Sequence, residues 1–226
     1  MTARLHCFGE SGNAYKVALM LALTGTPWRP VFVDFFNGET RSPAFRDLNP
    51  MGEVPVLEID GRVLTQSAVM LRYLARRPGE VGPPQLGSPR LGPTELGPVD
   101  AAEEDEILRW MLWDNHKFST QIGMLRFVTN FLPPERRPEG VAPFVQARLR
   151  AAYAVLERHL DARDWMVGGR ATIADLSLCS YLYYPEPFGL DLADWPNVQA
   201  WTARIAALPG WAHPYALMPG NPSDRA

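Results

Sequence analysis

Cysteine is almost missing from this chain: Cys7 and Cys179 are the only two in 226 residues, far apart and in different local contexts. That excludes a disulfide-stapled secreted scaffold, and Cys7 reads as a buried strand residue. The four histidines, His6, His116, His159 and His213, stand without ligand spacing, which argues against a zinc site, so no metal is expected. An excess of positive charge is also lacking. The net charge of -3 gives neither nucleic acid nor anionic lipid an electrostatic purchase. No apolar stretch approaches the roughly 18 residues of a membrane span, and MTARLHCFGESG lacks the apolar core of a signal peptide. The expectation is a cytoplasmic globular protein with no membrane and no nucleic-acid partner.

What is present divides by periodicity. Residues 3 to 8, ARLHCF, predict a strand, and SGNAYKVALMLALTG predicts a helix with Ala14, Val17, Ala18 and Leu21 on one stripe. WRPVFVDF predicts a second strand and SPAFRDLN a short helix. GEVPVLEIDGRVLTQS then reads as a hairpin, since Asp60 and Gly61 supply the dipeptide preferred by a two-residue turn. QSAVMLRYLARR predicts a helix with Met70, Tyr73 and Leu74 on one face. A strand, helix, strand unit followed by a hairpin implies a mixed four-stranded sheet with helices packed on it.

The first domain is assigned to residues 1 to 79. Prolines and glycines crowd residues 78 to 98, and 80 to 98 are read as a linker. Residues 99 to 226 predict an all-helical domain, starting with a long helix over 101 to about 131 that carries Ile107, Trp110, Met111, Phe118, Ile122 and Leu125. Val145, Leu149, Ala152, Leu156 and Leu160 form another stripe. Thr172 and Asp175 fit a capping box. A last helix from Pro196 buries Val198, Trp201, Ile205 and Leu208, and Pro209 and Gly210 stop it.

Three places have chemistry in them. Pro55 stands at the mouth of a strand, where proline is confined to an edge, a bulge or the first residue. A cis Val54–Pro55 bond would leave the Val54 backbone open to a peptide-like ligand. A trans loop proline is the alternative. Ser11, at the strand-to-helix junction, is either an N-cap or a hydroxyl that joins the first-turn amides around an anion. GESGN lacks nucleophile-elbow spacing, so Ser11 is not read as a hydrolase nucleophile. Gln66 and Ser67, where the hairpin enters its helix, suit a carboxylate, with Gln66 as a neutral acceptor for an ammonium group. Together these three sites fit a small zwitterionic peptide.

The chain resembles the glutathione transferase family over nearly its whole length. NPMGEVPVLEIDGRVLTQSAVMLRYLA looks like that family's glutathione-binding segment, SGNAYKVALMLALTG like the first helix of its bacterial members, and WPNVQAWTARIAALPGW like a C-terminal helix. The resemblance implies a thioredoxin-like N-terminal domain ahead of a helical domain, and glutathione as co-substrate. It implies that Ser11 activates the thiol, that Val54 pairs with the cysteinyl backbone, that Pro55 is cis, and that Gln66 and Ser67 hold the γ-glutamyl end. Asn13 is a second candidate donor to the sulfur. Two positions depart from the family pattern. Many members have Glu or Asp where Gln66 stands, which weakens recognition of the amine. Many have Lys, Arg or Gln where Glu53 stands, and an acid there disfavours the glycine carboxylate. SGNA also occupies the place of a CxxC, which excludes a protein dithiol.

The expected activity is glutathione S-transferase, attaching the glutathione thiol to a small hydrophobic electrophile in detoxification. The alternatives are glutathione-dependent disulfide or peroxide reduction and a non-catalytic interaction module. Trp110, Trp113, Tyr181, Tyr183, Tyr184 and Phe188 are either core or the wall of an electrophile pocket. Apolar residues nearly all round 107 to 113 predict a homodimer interface.

Overall fold

A computed structural model describes residues 2–76 and 91–220. Most of the stretch assigned to the linker, 80–90, lies outside the described residues. Two compact units divide the rest: one holds the described residues up to Gly97 together with those from Leu208 onward, the other Pro98–Ala207.

In the first unit β1 (Ala3–Cys7), α1 (Gly12–Leu23) and β2 (Trp28–Phe32) form a strand, helix, strand crossover with β1 and β2 parallel. After α2 (Pro43–Leu48) come β3 (Val56–Ile59), β4 (Arg62–Thr65) and α3 (Ser67–Ala75). Strand order is β2-β1-β3-β4, with β3 antiparallel to both neighbours, so the sheet is mixed and four-stranded as the periodicity predicts. Asp60 and Gly61 take φ of 52° and 73°, the left-handed pair that a tight hairpin requires.

Two details differ from the local reading. α1 is buried nearly all round, not on one stripe, because β1, α3 and α9 (Pro214–Leu217) all pack against it. Tyr73 stays half-buried, since its hydroxyl reaches out to donate to Asp60 Oδ2 at 2.8 Å, and Leu71 takes its place in the core beside Met70 and Leu74.

The second unit contains α4 (Ala101–Trp113), α5 (Ser119–Arg126), α6 (Val141–Leu160), α7 (Ile173–Cys179) and α8 (Pro196–Ala206). The long helix expected over 101 to 131 is interrupted by π-turns at Asp114–Phe118 and Phe127–Phe131. At the first of these, buried Asp114 accepts from the Ser119 and Ser177 hydroxyls, each at 2.6 Å, so a side-chain network accompanies the wider turn. All five residues of the predicted α6 stripe are buried.

Thr172 and Asp175 form the capping box of α7. Asp175, fully buried, accepts from Thr172 N, Thr172 Oγ, Met166 N and Trp201 Nε1 at 2.8 to 2.9 Å. α8 buries Val198, Trp201 and Ile205, but it ends at Ala206, so Leu208 lies outside it and is only half-buried. It is also not the last helix: α9 follows and belongs to the first unit, where Tyr15 donates to the Ala212 carbonyl at 2.8 Å. Among the described residues no helix is long and apolar enough to cross a membrane.

Candidate functional site

Strand register determines where the predicted site residues meet. His6 pairs with Val56 and Val56 with Thr65, so the C-terminal end of β1, the N-terminal end of β3 and the C-terminal end of β4 share one end of the sheet. Immediately beyond those ends stand Ser11, then Val54 and Pro55, then Gln66 and Ser67. β3 is an interior strand, so Pro55 does not mark a lateral sheet edge. It is the residue just before the strand, and Val54 lies ahead of the first ladder pair.

Ser11 closes a turn by donating its amide to the Phe8 carbonyl at 3.1 Å, and its own carbonyl accepts from Tyr15 N at 2.9 Å. It is the N-cap of α1, with Oγ accepting from Ala14 N at 3.2 Å. The cap uses an oxygen lone pair and leaves the hydroxyl proton for a further acceptor. The helix behind it adds first-turn amides and the positive end of its dipole, so this corner favours an anion. Asn13, half-exposed in the first turn of α1, has its Oδ1 buried without a hydrogen-bond partner among the described residues.

Residues 49 to 54 form the opposite wall. Asn49 and Gly52 close a turn through Gly52 N and the Asn49 carbonyl at 2.9 Å. The buried Asn49 side chain then donates to the Glu53 carbonyl at 2.7 Å and accepts from Met51 N at 3.1 Å. The Val54–Pro55 bond is cis. Val54 packs against the core cluster of Val33, Phe45 and Val56, which anchors the residue while its backbone stays ahead of the ladder. Asn49 is the positioning residue that the sequence reading passed over. Its signal was the Asn-Pro dipeptide, a turn opener.

Gln66 takes φ of 66°, a conformation a non-glycine residue rarely adopts and one that clusters at functional sites. Its Nε2 donates to Glu53 Oε2 at 3.0 Å and contacts Met51 Sδ at 3.2 Å. Glu53 and Gln66 are therefore one unit, a carboxylate held by an amide. Ser67, buried, opens α3.

Of the aromatic candidates, Trp110, Tyr181, Tyr184 and Phe188 are buried, while Trp113 and Tyr183 are half-buried. Trp110 packs on Trp113 and His159, with ring centroids 5.5 and 4.4 Å apart. Tyr183 donates to the Thr202 carbonyl at 2.9 Å. The aromatic group in the same turn as Ser11 is a different one: Phe8 stacks on Phe35 at 4.7 Å, and Phe36 meets both edge-on. The adjacent pair Phe35 and Phe36 directly after a strand was its only sequence signal. Cys7 is no rival nucleophile, because burial pushes its thiol up to about 12.

Two family models match the chain: the glutathione S-transferase N-terminal domain over residues 10–77 and the glutathione S-transferase C-terminal domain over 119–209. A glutathione S-transferase structure from Xanthobacter autotrophicus Py2 is 32% identical, covers 99% of each chain and superposes with a TM-score of 0.80. The maleylacetoacetate isomerase of Pseudomonas aeruginosa is 29% identical over 97% of this chain and 99% of its own length. The glutathione transferase URE2P8 from Phanerochaete chrysosporium, solved with oxidized glutathione, is 25% identical with a TM-score of 0.73 and covers 92% of this chain and 91% of its own.

Proposed function

The chain belongs to the glutathione S-transferase family, and from that premise we propose that it binds glutathione at the shared sheet end and activates its thiol for transfer to a small hydrophobic electrophile. The observation that carries the reading is Ser11, whose capping bond leaves its proton available beside the positive end of α1.

Thiolate is the useful nucleophile, and a free thiol of pKa about 8.5 is only about 3% ionised at pH 7. A fall of two units, about 2.7 kcal/mol of preferential thiolate stabilisation, makes the thiolate the majority form. One charge-assisted hydrogen bond with a helix terminus is of that size. In this reading Ser11 donates to the sulfur and forms no covalent intermediate. Val54 offers its backbone to the cysteinyl residue beside cis Pro55. Ser67 and the first-turn amides of α3 receive the γ-glutamyl carboxylate, and the Glu53 and Gln66 pair receives the ammonium. Phe8, Phe35 and Phe36 supply an apolar surface next to the reacting sulfur. A homodimer in the cytoplasm belongs to the same proposal.

Calorimetry with reduced glutathione tests the binding half, and an absence of saturable binding at millimolar ligand overturns it. Ser11→Ala should lower the conjugation rate by about ten- to a thousandfold while glutathione affinity changes little. An unchanged ultraviolet thiolate titration of bound glutathione in that variant removes the role assigned to the hydroxyl.

A second reading, reduction of disulfides with glutathione, is favoured by Asn13. With its carbonyl oxygen buried, its amide nitrogen is the end left for a sulfur. Asn13→Ala should then impair disulfide reduction at least as much as Ser11→Ala does, measured side by side with conjugation.

A further inference from the structure

Within the helical unit, the segment between α7 and α8 folds against α6 around a cavity of about 520 Å³, a size typical of small-molecule sites. Three aromatic rings, Tyr153, Tyr184 and Phe188, and three carboxylates, Glu186, Asp191 and Asp194, are among its lining residues, and among the described residues no lysine, arginine or histidine lines it.

The wall is held from behind. Arg126, 1% exposed, donates from Nη2 to Glu186 Oε2 at 2.7 Å and lies 3.9 Å from the Tyr184 ring centroid. Gln146 Nε2 donates to the Phe188 carbonyl at 3.1 Å. Pro185 and Pro187 restrict the loop that carries these residues.

The floor is incomplete. Tyr153 is 2% exposed, gripped by Trp195 stacked at 5.4 Å and Phe118 edge-on at 5.1 Å. Its hydroxyl has no hydrogen-bond partner among the described residues and is not itself fully enclosed, so it is open at the cavity that Tyr153 lines. On a side chain otherwise buried, that hydroxyl leaves a donor and an acceptor for a ligand in the cavity.

We propose that this cavity binds an amphipathic organic cation, an arylalkyl ammonium whose apolar body lies against Tyr153 and Phe188 and whose ammonium faces Asp191 and Asp194. The charge distribution selects this class. Arg126 offsets Glu186 and occupies the Tyr184 face from the protein side, which disfavours a second cation on that ring. Asp191 spends Oδ1 on Ala193 N at 2.9 Å, capping the following turn, and keeps its other oxygen. Asp194 is exposed at the rim. An anionic ligand meets two carboxylates with no basic group among the lining residues.

Calorimetry on the full chain with phenethylamine, 2-phenylethanol and phenylacetate tests the assignment, and it is independent of the glutathione reading. Phenethylamine should bind saturably with a Kd below about 1 mM, 2-phenylethanol about tenfold more weakly, and phenylacetate not measurably. Asp194→Asn, at an exposed position that leaves folding intact, should weaken the amine about three- to tenfold, and Tyr153→Phe should do the same while keeping the ring packing. No saturation by about 10 mM, equal affinity for the alcohol, or indifference to both substitutions overturns the proposal.

Discussion

Glu53 shows how one side-chain contact changes a functional argument. Read along the chain, an acid at this position disfavours the glycine carboxylate of glutathione. Its carboxylate instead accepts from Gln66, the residue carried over to the opposite, γ-glutamyl end. On the proposed reading, position 53 supplies across the gap the acid that position 66 lacks, and the two residues together offer what an ammonium needs, a charge and a directed acceptor. Glu53→Gln should raise the Kd for glutathione about tenfold, with kcat at saturation little changed, because the charge acts on a group remote from the sulfur. Unaltered or tighter binding in calorimetry would return Glu53 to the glycine end. Ser11 illustrates the reverse case. The plain N-cap role and the functional role are compatible, since one uses a lone pair and the other a proton.

At the scale of the element, the start of α4 is tied by four side-chain hydrogen bonds. Asp100 caps it by accepting from Glu103 N at 2.8 Å, and Glu103 accepts from Val99 N at 2.7 Å. Glu103 also takes a two-pronged bond from Arg170 at 2.7 and 2.8 Å. Gly168, at φ of 67°, leaves the space for it: a Cβ there would stand 2.7 Å from Glu103 Oε1. Gly168→Ala should cost about 1 to 3 kcal/mol in denaturant unfolding, from backbone strain and displacement of the pair.

The Arg170 hydrogen bond holds the Glu103 carboxyl below its usual 4.5. A carboxyl lowered in the folded state stabilises above the unfolded value and loses that contribution as pH falls through the folded one. Glu103→Gln should therefore be about 1 kcal/mol less stable than the parent at pH 7, with the gap closing below about pH 4.5. A gap that persists undiminished into acid would show that charge is not what the pair contributes.

For the whole molecule, the open question is what covers the apolar residues left on the outer side of the α4 and α5 segment. Trp110 is spent on the core beside His159. Leu112 is 61% exposed, and Met124 and Phe127 are exposed as well. A second copy is the occupant that the homodimer reading assigns to this surface. Light scattering at micromolar concentration should report about twice the 25.3 kDa chain mass, and Leu112→Glu should return it to one chain. A monomeric parent protein would leave those residues as ordinary surface.

Local pattern alone determined the strand and helix order from β1 to α3, the Asp60–Gly61 hairpin, the Thr172–Asp175 box and the apolar stripe of α6, because each follows from dihedral preference or side-chain period within a few residues. Periodicity failed where packing came from several sides at once, as on α1, and where a π-turn interrupts the helix beside a buried, hydrogen-bonded carboxylate, as at Asp114. The three weak signals at Ser11, Val54 and Gln66 come to one end of the sheet only through strand register, which ties residues more than forty positions apart. The pairing of Glu53 with Gln66, the return of Tyr15 to Ala212 and the unpartnered Tyr153 hydroxyl were decided by tertiary structure. Each depends on the distance between groups remote in the chain, and no local propensity encodes that distance.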